Sequence, residues 1–464
     1  MLKKVASLLL VCAMTVGLVS GCGGTKSVSG GSNSEGTGKT AGKTAIELWD
    51  FGGLSQEQKL FTELADEFNK SQNEVQVNVT LQDWATRDQK ILTAYKSGVA
   101  PDLIVLGPAI DSYKRMGLLK SISDLSSDLA AKIKKSVLPD AYNLDVRDGK
   151  LWAVPSWTDI SPYMMYNVDL LKAAGYDADN PPKTWDEFEK CVKAMTRSGV
   201  SGYTSTLSTK NIPDPSNEFI YYLWMCGGDI MNKEETKITF NSQAGVNAAQ
   251  FLTNLNLKDK VMVSNPANIT YMDRHELFFG GKIATDIGYT YLPALLSDYK
   301  VQDTFHYIYA PMPKPDKSLV MNSSDVKTRW LSANGDIHVI SSTRKTDAVL
   351  KYLNWLVDND YWSKWATEVK ARTPISVKSY TDSTIRNDIK SFFPNLITEY
   401  DAGTLTSGAA AKPTYAGITE IQTILANAIQ QIVIGKVDVK EGLDTAAQKA
   451  QKLLDEYNTS SSSK

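Results

Sequence analysis

Residues 44–106 alternate strand, helix, strand, helix, strand, and that order limits what the chain can fold into more than any other feature. Ala45-Ile46-Glu47-Leu48-Trp49-Asp50-Phe51 alternates apolar and polar positions as a strand does. Phe61, Leu64, Ala65 and Phe68 recur at helical spacing across about 55–71, and 75–81 alternates again. A helix over about 86–97 leads to Pro101-Asp102-Leu103-Ile104-Val105-Leu106, the third strand. Strands joined by helical crossovers pair in parallel, so this half predicts an α/β fold with a mostly parallel sheet covered on both faces. Such sheets meet ligands in the loops at the carboxyl ends of their strands, here 49–53 and 107–111.

From Gly149 the pattern changes. Leu151-Trp152-Ala153-Val154-Pro155 reads as a strand ending at a proline, and 163–167 as another. Thr184 followed three residues later by Glu187 is a capping box and predicts a helix start. Further helices are predicted near 218–225, 243–255, 274–279, 346–357, 361–369 and 418–434. The stretch 439–457 carries Leu443, Ala446, Ala450, Leu453 and Leu454 on one stripe.

The chain opens with Lys3 and Lys4, a short apolar run over 5–19, and Val19-Ser20-Gly21-Cys22. This is the pattern of a cleaved export signal (1–21), and small residues before Cys22 resemble a lipobox, which implies lipidation at Cys22 and a tether on the outer face of a cytoplasmic membrane. Residues 22–43 are Gly, Ser, Thr and Lys with little else, a composition suited to a flexible linker. Gly36-Thr37-Gly38-Lys39-Thr40 imitates the end of a phosphate-binding loop, but Asn33 stands where that loop needs its first Gly, so nucleotide binding is rejected.

Removing Lys3 and Lys4 with the signal takes the formal net charge from -2 to -4, and no basic stripe suggests nucleic acid. Roughly 440 residues remain, enough for two lobes of ordinary size. Cys191 and Cys226 are then the internal cysteines, open either to pairing in an oxidising exterior or to burial as small apolar side chains. The 10 Trp and 21 Tyr outnumber the 12 Phe, a bias toward rings that carry a polar handle and suit a hydroxylated ligand.

Pro101-Asp102-Leu103, Gly117-Leu118-Leu119, Asp148-Gly149-Lys150-Leu151-Trp152-Ala153-Val154-Pro155, Tyr166-Asn167, Pro181-Pro182-Lys183-Thr184-Trp185-Asp186-Glu187-Phe188 and Phe279-Gly280-Gly281-Lys282-Ile283-Ala284 occur in the order found in family 1 extracellular solute-binding proteins. Ala310-Pro311-Met312-Pro313 and the Ala- and Leu-rich final helices add to the resemblance, which spans nearly the whole mature chain. These are the sugar-capturing subunits of ABC importers, similar to maltose-binding protein. The resemblance implies a periplasmic-binding-protein-like fold of two α/β lobes joined by a three-crossing hinge, with the ligand cleft between them. One lobe would take 44–154 plus 314–340, the other 155–313 plus 341–457, and 458–464 would be a disordered tail. Two departures leave the ligand's identity open: Ala284-Thr285-Asp286 puts a carboxylate where the family commonly has Ala-Met, and Asn334-Gly335-Asp336 stands where many members have Gly-Gly.

A sugar offers hydroxyl pairs at its rim and C–H patches on its faces, so its site needs carboxylates or amides and aromatic rings. From the first lobe the candidates are Trp49, Asp50, Trp84, Asp111 and Trp330; from the second, Trp157, Asp159, Glu218, Trp224, Asp286, Tyr289, Tyr291 and Arg372. The family pattern favours Asp50, Trp157, Asp159, Tyr289 and Tyr291. Trp152 and Trp185 read as structural, Trp224 sits in an apolar helix, and Arg372 suits either a cleft carboxylate, a carboxylated sugar or a surface salt bridge.

The expected function is capture of a carbohydrate, an oligosaccharide, by cleft closure, with delivery to the permease subunits of an ABC importer. The expected protein is a monomer with no catalytic residue, cofactor, metal or nucleic-acid partner. His275, His306 and His338 have no metal-ligand spacing, and no Gly-x-Ser-x-Gly elbow is present. The alternatives are a binding protein for a peptide, polyamine or metal chelate, and a surface glycan-cleaving enzyme using two of Asp50, Asp159, Glu218 and Asp286.

Overall fold

A computed structural model describes residues 42–461 except 53, 84–85, 108–109, 211–213, 302 and 412–416. The expected export signal, Cys22, nearly all of the linker and Trp84 therefore lie outside the described residues.

The first half follows the predicted alternation. Strand β1 (Thr44–Asp50), helix α1 (Ser55–Ser71), β2 (Val75–Leu81), helix α2 (Arg87–Lys96) and β3 (Leu103–Leu106) succeed one another, and β1 pairs in parallel with both β2 and β3. The period-2 pattern splits these strands between two cores. Ile46, Leu48, Leu103 and Val105 pack with Leu60, Phe61, Leu64 and Phe68 of α1, whereas Phe51, Ile104 and Leu106 pack on the other face with Ile91 of α2 and Tyr113. The sheet is completed by β4 (Leu119–Lys120) after a short helix.

Beyond the hairpin β5 (Val146–Arg147) and β6 (Lys150–Leu151), the chain enters β7 (Trp157–Ser161) and β8 (Tyr163–Asn167). Strand β8 is central in a second sheet, between β9 (Thr285–Gly288) and β10 (Tyr307–Ala310). Strand β7 pairs with β11 (Arg329–Asn334), which also pairs with β13 (Ala409–Ala411), and β12 (Asp336–Ile340) returns to the first sheet, giving the order β2-β1-β3-β12-β4. Strand β12 runs against both its neighbours there.

Three segments distant in sequence lie side by side. Val154 and Ile337 exchange backbone hydrogen bonds of 3.0 and 2.9 Å, and Thr158 and Thr373 exchange bonds of 3.2 and 3.0 Å. Strands β7 and β11 pair antiparallel beyond the Val154–Ile337 contact, from Trp157 opposite Asn334 to Ser161 opposite Trp330, so that Thr158 lies between β11 and Thr373.

The largest core belongs to the second half. Helices Trp185–Met195, Asp214–Met225, Gln243–Leu257, Ile418–Val433 and Val439–Ser461 converge on β8 and bury Phe188, Phe219, Leu252, Leu425 and Leu443. The predicted capping box is present: Thr184 Oγ1 accepts from Glu187 N and Glu187 returns to Thr184 N. Cys191 and Cys226 are free, buried thiols, each pushed up to about 12 by burial.

The structure differs from the sequence expectations in three places. Over 151–155 the expected strand is reduced to Leu151, at the end of β6, and an isolated bridge from Val154 to Ile337. The stretch over 361–369 is a short α-helix, Tyr361–Lys364, followed by a wider π turn, Trp365–Val369. The last helix runs on to Ser461 into the expected tail, where the Asn458 amide donates to the Glu235 carbonyl. Among the described residues no helix is long and apolar enough to cross a membrane, and no group of three or more His, Cys, Asp or Glu side chains could hold a metal ion.

Candidate functional site

Just beyond β9, the turn Tyr289-Thr290-Tyr291 meets the loop before Thr373. The Arg372 N–H donates to the Thr290 carbonyl at 2.7 Å, which aims the Arg372 side chain back toward α1. Its guanidinium carbon lies 4.0 Å from the ring centroid of Trp157 on β7 and 4.4 Å from that of Tyr291. Its Nε donates to Glu57 Oε1 at 2.8 Å and its Nη1 to Asp159 Oδ2 at 3.2 Å. Thr290 Oγ1 donates to the other Asp159 oxygen at 2.6 Å. The slot between the two rings is thus closed at its rim by two carboxylates. Burial alone would lower the Arg372 pKa, but Glu57 and Asp159 outweigh it and hold the guanidinium charged.

Behind the slot lies a second polar network. Helix Tyr271–Phe279 buries Arg274 and His275, and Asp286 on β9 meets both, at 2.6 Å from Arg274 Nε and 2.6 Å from His275 Nδ1. Glu218 on helix Asp214–Met225 accepts from Arg274 Nη1 at 2.8 Å, from Tyr203 Oη at 2.5 Å and from the Thr206 backbone and hydroxyl at 3.0 and 2.9 Å. Burial would raise the Asp286 carboxyl, yet His275 and Arg274 beside it hold it below its ordinary value. The network reaches the slot through His275 Nε2 and the Tyr291 hydroxyl, 3.3 Å apart, and through Tyr289, whose ring stacks on Tyr291 at 5.7 Å and whose hydroxyl shares a 2.8 Å hydrogen bond with Tyr221. It locks the orientation of Tyr291.

The candidates separate accordingly. Trp157, Asp159, Tyr291 and Arg372 form the slot; Tyr289, Asp286 and Glu218 stand behind it. Asp50, fully buried at the end of β1, accepts from Gly52 N at 2.7 Å. Burial pushes its carboxyl up to about 7, Gly52 N–H pulling it down and the nearby Glu57 adding to the rise. Trp49 points to the opposite face of β1, where it lines a groove of about 350 Å³ with Gln89, Lys90 and Thr93 of α2. Asp111 is held by both its oxygens to Arg147, at 2.7 and 3.0 Å. Trp224 is core: its Nε1 donates to Asp229, and its ring meets that of Trp330 edge-on at 5.7 Å. Trp330 lies in the same aromatic layer, beside Tyr221 at 4.8 Å. Trp84 is outside the described residues.

Sequence reasoning passed over Glu57, Arg274 and His275. Glu57 lies in the first turn of α1, directly after the β1 loop, where an acidic residue reads as ordinary N-terminal helix chemistry. Arg274 and His275 gave a clearer signal: with Tyr271 and Phe278 they fill the inward positions of one helical stripe, and charged residues there demand buried partners.

The sequence matches the profile of a family described as bacterial extracellular solute-binding protein over residues 52–362. Among similar proteins, an sn-glycerol-3-phosphate-binding periplasmic protein of Pectobacterium atrosepticum is 22% identical over 432 residues, covering 86% of this chain and 88% of its own length. An ABC transporter solute-binding protein from Thermotoga lettingae, solved bound with alpha-D-tagatose, matches with a TM-score of 0.73 at 21% identity, over 89% of this chain and 100% of that one. A cyclic alpha-maltosyl-1,6-maltose binding protein from Arthrobacter globiformis matches with a TM-score of 0.70 at 21% identity, over 89% and 99%. The fold is accordingly α/β and periplasmic-binding-protein-like.

Proposed function

We propose, from the premise that the chain belongs to the family of bacterial extracellular solute-binding proteins, that it captures a carbohydrate, an oligosaccharide, and delivers it unaltered to the permease of an ABC importer. The observation that carries this reading is the slot: the rings of Trp157 and Tyr291 flank one space whose rim holds Asp159 and Glu57. Ring faces suit the C–H patches of a sugar, and carboxylates suit its hydroxyls. Relatives solved with tagatose and named for a cyclic maltose oligomer point to the same ligand class.

The mechanism is closure. The slot draws Glu57 from α1, packed on the first sheet, and Asp159, Tyr291 and Arg372 from the other half of the chain. The lobes would part at the three adjacent segments around Val154, Ile337 and Thr373. Helix Thr346–Asp358, whose Val349, Tyr352 and Leu353 share a core with Ile46 and Leu48 of β1, supports moving the expected boundary at 340 onward to Thr373. Ligand contacts complete only when shut favour the closed form, the shape a permease would recognise. The protein acts as a monomer tethered by a lipid on Cys22 to the outer face of the cytoplasmic membrane, and it is not an enzyme. Glu218 and Asp286 are both engaged by Arg274, which supports a structural role for them over an acid and base pair.

Calorimetric titration against mono- and oligosaccharides, uronates included, tests the reading, with saturable binding near -8 kcal/mol expected for a micromolar ligand. Recovery of the ligand intact is expected; hydrolysis products would favour the enzyme instead.

A further inference from the structure

Both ring faces of the slot are already covered. Arg372 lies between Trp157 and Tyr291 at 4.0 and 4.4 Å, with carboxylates at 2.8 and 3.2 Å from its nitrogens. Two aromatic faces and two carboxylates around one space form a receptor for a cation, because ring quadrupoles and carboxylates both attract positive charge most strongly where water is excluded. The backbone supports the same conclusion. Arg372 sits at φ 71°, a left-handed conformation that a long side chain adopts only at a cost, and hydrogen bonds at Arg372 N and at Thr373 hold it there.

Three kinds of sugar can be compared at this slot. A neutral sugar that displaces Arg372 takes away the cation from Glu57 and Asp159, which are only 1% and 8% exposed, and buried carboxylates deprived of a cation are costly. A uronate would add a third negative charge. A sugar with a protonated amine restores what Arg372 supplied.

Resting on the carbohydrate reading above, we propose that the ligand is an amino sugar, whose ammonium group enters between Trp157 and Tyr291 in place of the Arg372 guanidinium and is held by Glu57 and Asp159. Arg372 is then a tethered occupant of the ligand-free slot, released when the ligand arrives.

The test is calorimetric titration of the full chain at neutral pH with four oligosaccharides of equal length: a glucosamine oligomer, its N-acetylated counterpart, a neutral glucose oligomer and a uronate. Expected are a preference of about tenfold or more for the free amine and its weakening with added salt. Glu57→Gln and Asp159→Asn should each abolish that preference, and Arg372→Gln should tighten amine binding by removing the competitor. Melting temperatures of each variant with and without the glucosamine oligomer separate lost recognition from lost folding. Equal or tighter binding of the N-acetylated or neutral oligomer overturns the amino-sugar assignment and leaves the carbohydrate reading standing. Silence from all four sugars overturns both, and a response to spermidine under those conditions would reassign the slot to a non-sugar cation.

Discussion

Arg372 holds Glu57 at 2.8 Å across 315 residues of sequence, joining the loop just before the third crossing segment to the first turn of α1. Side-chain exposures of 11% and 2% make this a buried pair, for which removal of one partner is far more costly than absence of both. Arg372→Met should therefore lower unfolding stability by about 3 kcal/mol. Adding Glu57→Gln and Asp159→Asn should recover most of the loss. Urea denaturation of the two variants checks this, and an equal loss in both would mean the ion pairs contribute nothing.

Trp157 and Tyr291 are expected to matter for ligand more than their burial suggests. Tyr291→Ala should weaken carbohydrate binding by about 1–3 kcal/mol, as other aromatic anchors do. Tyr291→Phe, which keeps the ring and loses only the contact with His275, should cost much less. Because Trp157 also stacks on Trp365 at 6.0 Å, Trp157→Phe is its cleaner test. Titration of the folded variants decides, and unchanged affinity for Tyr291→Ala would make these rings structural.

Asp50 sets a pH dependence whose sign follows from its surroundings. Its carboxyl rises from 3.8 to about 7 on folding, so the native state binds a proton that the unfolded chain has released. That contribution is complete below about pH 4 and is lost as pH rises through about 7. Asp50→Asn keeps an oxygen for Gly52 N–H and removes the titration. The variant should gain on the parent as pH increases from 5 to 8, by roughly 2–4 kcal/mol at the upper end. Parallel melting curves across that range would refute the assignment.

Arg274 neutralises two carboxylates at once, Glu218 at 2.8 Å and Asp286 at 2.6 Å, within a fully buried network. Arg274→Met should destabilise the fold by about 3–5 kcal/mol. Weakening of the Asp286 depression, to which His275 contributes ahead of Arg274, makes a second signature. A depressed carboxyl stabilises above its ordinary range and loses that contribution as pH falls through the lowered value, so the variant should show a weaker acid transition. Thermal melts from pH 3 to 7 read both effects.

Cys22 provides the test of the tether. Cells expressing the full chain should incorporate labelled palmitate into it and retain it in the membrane fraction, whereas Cys22→Ser should release it unlabelled. An unlabelled parent chain would remove the lipid from the account.

Local patterns carried much of the fold. The period-2 run at Ile46 and Leu48, the continuous apolar run Leu103–Leu106, the helical stripe from Phe61 to Phe68 and the Thr184–Glu187 box all depend on neighbours a few residues away, so the chain states them directly. The ordered family motifs extended this from Pro101 to Pro313. Side-chain partnerships were another matter. Sequence nominated Trp157, Asp159, Tyr291 and Arg372 separately, passed over Glu57, and put Trp49 beside Asp50 although successive strand residues face opposite ways. Which carboxylates Arg372 would hold, and that it would lie between two rings, depended on Glu57, Trp157, Asp159 and Tyr291 arriving from different elements. A hydrogen bond or a ring contact reaches only a few ångströms, so these partnerships exist only where the crossing of distant strands brings their ends together.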